Sequence, residues 1–128
     1  MYKSFIESKI GGKPIGLIVR SSEYRDLDCI LEMRASIKDA VLTNKYKVPI
    51  FADKLTELSN ENDIVYFVIS DIDKASEKEQ ERFIELVKFR SFSGYRLPDN
   101  VIIIFTVEGD NTIKNIIPEL YWLLNLAY

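Results

Sequence analysis

The chain has 128 residues, 47% of them hydrophobic, which suits one packed domain. Its formal charge of −3 tilts it away from a surface built to neutralise phosphate. It has no histidine and one cysteine, Cys29, which excludes histidine-dependent nucleophilic catalysis, imidazole metal sites and a disulfide framework.

Met1–Ser8 carries Lys3 and Glu7 and no apolar run, which argues against a signal peptide. No stretch approaches the ~20 apolar residues of a membrane span. The expectation is a cytoplasmic protein, in a reducing compartment, with Cys29 as a small buried apolar residue.

In chain order, Tyr2–Ile10 has helical spacing and ends at Gly11-Gly12, a pair suited to a left-handed cap. After Pro14, the apolar run Ile15–Val19 predicts a buried strand, and residues 20–25 a turn. From about Glu23 the period becomes helical. Leu27, Ile30, Leu31, Ile37, Ala40 and Val41 share a face, weakened around Arg34–Ser36, so one long helix or two is expected. Val48–Phe51 reads as a short edge strand, because Pro49 has no N–H for a central ladder. Ala52–Leu58 reads as a short helix with Leu55 and Leu58 inward, and Asn60–Asn62 as a loop.

Asp63–Ile69 is the clearest strand. Ser76 and Glu79 have the spacing of a capping box. The helix they open buries Phe83, Leu86 and Val87, with Ile84 flanking. Its other face, with Glu81, Arg82, Glu85 and Lys88, is expected to be solvated, its charge pairs weak. Ser93–Asn100 forms a hairpin-like connector, and Val101–Thr106 a strand apolar enough to be covered on both faces. Strand, helix and strand in this order make a βαβ unit, hence a parallel sheet. Gly109–Asn111 is a loop. Thr112–Ile117 and Pro118–Leu124 are two short helical pieces, with Pro118 at a first helical position.

Tyr66-Phe67-Val68-Ile69-Ser70-Asp71-Ile72-Asp73-Lys74-Ala75-Ser76 resembles the Walker B strand and following turn of the AAA+ ATPases, with a MoxR-like or dynein-related flavour. Gly94–Val101 and the strand ending at Thr106 resemble that family's approach to sensor 1. The resemblance implies a P-loop-NTPase-like three-layer α/β/α sandwich. Its mainly parallel sheet would have four or five strands in a single domain over residues 1–128, without the family's C-terminal lid.

The same resemblance places the family's chemistry on unsuitable residues. The two P-loop glycine positions fall on Arg20 and Arg25, the lysine on Asp26 and the Ser/Thr on Leu27. Glu23, Asp26 and Asp28 would supply the helix start with its own anions, where a P-loop holds phosphate. The opposing reading makes Arg20 and Arg25 phosphate ligands. The Walker B aspartate and glutamate fall on Ser70 and Asp71, and the sensor 1 asparagine on Glu108. Asp71 and Asp73 could pair around a metal, but no third ligand converges on them in the sequence. The arginine-finger position falls on Leu123.

The function so implied is a catalytically inactive AAA+-like module for protein interaction or scaffolding, with no cofactor. Its partner would be a protein, either an active AAA+ protein or a second copy. Trp122, Leu123, Leu126 and Tyr128 would offer an apolar interface, unless the tail folds back on the sheet edge. The alternatives are an ATPase that binds ATP and magnesium through altered ligands, and a DNA-replication accessory subunit of clamp-loader type.

Overall fold

The computed structural model describes residues 16–43, 46 and 48–126, the side chain of Leu126 excepted. The expected helix at Tyr2–Ile10 and the residue Tyr128 lie outside the described residues. Two strands organise the rest. Every residue of β3 (Val65–Ser70) and β6 (Val101–Val107) is buried. These are the runs whose sequences lack a polar face, and a strand covered on both sides needs none.

They sit in a five-stranded sheet of order β2-β3-β6-β1-β7, with β1 at Gly16–Arg20, β2 at Ile30–Arg34 and β7 at Leu124–Leu126. All neighbours are parallel. Side chains alternate between two cores. Ile18, Phe67, Ile69, Ile103 and Phe105 face one side, and Leu17, Val19, Tyr66, Val68, Ile102 and Ile104 the other.

The first side is the helical one. It receives Leu42 of α1 (Asp39–Leu42), Leu55 of α2 (Ala52–Glu61), Phe83 and Leu86 of α3 (Glu77–Phe89), and Leu120 of α4 (Pro118–Tyr121). Among the described residues, all four helices contribute to this face. The opposite face takes Tyr24 and Leu27 from the segment joining β1 to β2.

That segment corrects the sequence reading. No helix runs from Glu23 to Val41. Residues 21–29 form turns, Ile30–Arg34 is strand β2, and only Asp39–Leu42 is helical. Ala40 and Val41, expected inward, are exposed. Cys29 adopts a left-handed backbone, φ 55°, which no α-helix can accommodate. After it, Leu31 and Met33 turn to the helical core and Ile30 to the other, a period of two. Pairing with β3 along the whole of β2 overrides the helical propensity of Leu, Glu, Met and Arg.

Two smaller corrections follow the same logic. Val48–Phe51 makes only an isolated bridge, Thr43 with Pro49, and Phe51 is buried ahead of α2. Helix α2 runs through Asn60 and Glu61, which were expected in a loop. The turn around Tyr24 also has a measurable signature. Tyr24 is 3% exposed and donates its hydroxyl to the Glu32 carboxylate. Burial first, then the bond to Glu32, pushes its phenol up to about 12, from an ordinary value of about 10. A raised folded value means stability that is complete below pH ~10 and lost as pH climbs from there towards ~12. Urea midpoints measured from pH 8 to 12 are expected to fall less steeply in Tyr24→Phe than in the parent chain.

Helix α3 starts with the expected capping box. Ser76 Oγ accepts from the Glu79 amide at 3.1 Å, and Glu79 Oε1 accepts from the Ser76 amide at 2.8 Å. Its supposedly solvated side is different. Arg82 donates to the carbonyls of Ala35 at 2.8 Å and Ile37 at 2.6 Å, and to Asp39 at 2.8 Å. It therefore ties α3 to the end of β2 rather than pairing with Glu85. Gln80, 1% exposed, donates to the carbonyls of Ala75 and Asn115 and accepts from the Ile117 amide at 2.7 Å. That bond set anchors the chain ahead of α4.

The connector to β6 is a small antiparallel hairpin, β4 (Ser91–Phe92) with β5 (Tyr95–Arg96). Its two turn residues, Ser93 at φ 50° and Gly94 at φ 86°, are both left-handed, which the glycine adopts at no steric cost. Pro118 stands at the first turn of α4 as expected. The tail then folds back onto the sheet, because Leu124–Leu126 pairs with Gly16–Ile18.

Candidate functional site

In an open parallel sheet the ligand crevice lies beyond the carboxyl ends of the strands, where the strand order reverses. Here that point is between β1 and β6. The chain leaves β1 for β2 on one side and leaves β6 for β7 on the other. A recess of about 420 Å³ opens there, lined by Arg20, Glu108, Gly109, Asp110, Asn111 and Thr112.

Its electrostatics are set by Arg20 at the end of β1. The guanidinium lies 3.4 Å from Glu23 and 4.0 Å from Asp110, both carboxylates. An anion entering the recess would meet one guanidinium already flanked by these two, with Glu108 on the same wall. Among the described residues that line the recess, Arg20 is the one cation.

Arg25 and Asp26 are exposed, and Leu27 is buried in the second core. The Arg25 guanidinium lies 5.3 Å from the centre of the Tyr24 ring. Because no helix follows β1, the expectation that Glu23, Asp26 and Asp28 satisfy a helix start is overturned. There is no N-terminal dipole at this point to satisfy.

The residues that the resemblance places at Walker B close β3 and begin the turn after it. Ser70 closes β3, and its hydroxyl donates to the Met33 carbonyl at a long 3.4 Å. Asp71 takes a left-handed backbone, φ 58°, and its amide donates to Thr106 Oγ1 at 2.9 Å. Asp73, 5% exposed in a short 3-10 turn (Ile72–Lys74), accepts from the Glu108 amide through Oδ2 at 3.0 Å. Among the described residues its Oδ1 has no hydrogen-bond partner.

Ser70, Asp71, Asp73 and Glu108 are thus brought to one end of the sheet. Among the described residues no three acidic, cysteine or histidine side chains converge closely enough to hold an ion. Asp73 is a strut between the β3 turn and the end of β6. Thr106, not singled out in the sequence, does the companion work, and its only signal there was a hydroxyl ending an apolar run.

Trp122 is 80% exposed, Leu123 is half-buried, and Leu126 lies in β7 opposite Ile18. Among the described residues no helix is long and apolar enough to cross a membrane. No protein-family model matches the chain, and no curated protein matches it in sequence.

Proposed function

We propose that this chain is a catalytically inactive AAA+-like α/β domain that works as a protein-interaction module and does not hydrolyse nucleotide. The observation that carries this reading is the connection from β1 to β2. Residues 21–29 make turns without a helix, so the phosphate-binding helix start that an ATPase of this type requires is missing altogether. Substitution of individual ligands could be compensated by others nearby. Loss of the element that presents them leaves nothing to compensate.

Three further features support it. Arg20 is flanked by Glu23 and Asp110, which disfavours triphosphate in the adjoining recess. Ser70 stands where the resemblance implies a magnesium-binding aspartate, and its hydroxyl is turned to a backbone carbonyl. The parallel sheet and its buried β3 and β6 persist as a scaffold. What remains is packing without a reaction centre.

The test is calorimetric titration of the full chain with ATP and magnesium. No heat of binding is expected up to millimolar nucleotide, and no phosphate release above the buffer rate. Saturable, magnesium-dependent binding would overturn the reading and favour altered ligands around Arg20.

A further inference from the structure

We draw no further inference here: the strongest candidate, the apolar groove of about 470 Å³ along the outer edge of β2, carries nothing, because among the described residues nothing shows what covers it.

Discussion

Arg82→Met is expected to lower the stability of the fold by roughly 2–4 kcal/mol, read as a shift of the urea midpoint at unchanged slope. The methionine keeps the apolar stem of the side chain and deletes the guanidinium. Two backbone carbonyls, Ala35 and Ile37, then lose their charged donor in a partly enclosed position. An acceptor left without a partner costs its desolvation, about 1–3 kcal/mol each when buried. The ion pair with Asp39 contributes much less, because that carboxylate is 77% exposed and screened by solvent. Asp39→Asn should therefore cost no more than about 0.5 kcal/mol, and 1 M salt should change the parent little. Arg82→Lys is expected to fall between, since one ammonium lacks the planar fork that reaches several acceptors at once. If Asp39→Asn matched Arg82→Met, the site would be an ion pair and the carbonyl contacts incidental.

Arg82 also marks where the sequence stopped being informative. Its neighbours along α3 made it look like one more charge on a wet helix face, because helical spacing reports contacts within an element only. Besides the Glu79 carbonyl one turn back, its partners Ala35, Ile37 and Asp39 lie more than forty residues earlier, in a segment read as helix. The capping box at Ser76 and Glu79 was legible for the opposite reason, as it is closed within one turn. Strands β3 and β6 were legible because burial on both faces leaves an unbroken apolar run.

Strand β2 was not legible. Leu27, Ile30 and Leu31 satisfy a helical period, and the features against it, a left-handed Cys29 and a ladder to β3, are conformational and non-local. The candidate site shared this fate. Its positions could be numbered along the chain, and Ser70, Asp71, Asp73 and Glu108 do meet at the sheet end. That no helix follows β1 could not be read from residue types.

Phe51→Ala is expected to be as damaging, at about 3–5 kcal/mol. Phe51 was read as part of an edge strand. It is instead 4% exposed, and its ring centre lies 4.7 Å from that of Phe67, 5.8 Å from Phe92 and 6.1 Å from Tyr95. One ring therefore joins the approach to α2, the central strand β3 and the β4–β5 hairpin. Truncation would leave a hole bounded by three separate elements, which cannot all collapse into it. Phe51→Leu retains most of the volume and should cost about 1–2 kcal/mol. Phe89→Ala, at a ring 60% exposed, should stay within about 0.5 kcal/mol and serves as the surface reference. The cluster model is tested further by a double-mutant cycle in urea. Phe51→Ala with Phe92→Ala should cost less than the two singles together, by about 0.5–1.5 kcal/mol, because each ring has already lost the other. Strict additivity would mean that Phe51 is anchored by β3 alone and that the hairpin packs independently of α2.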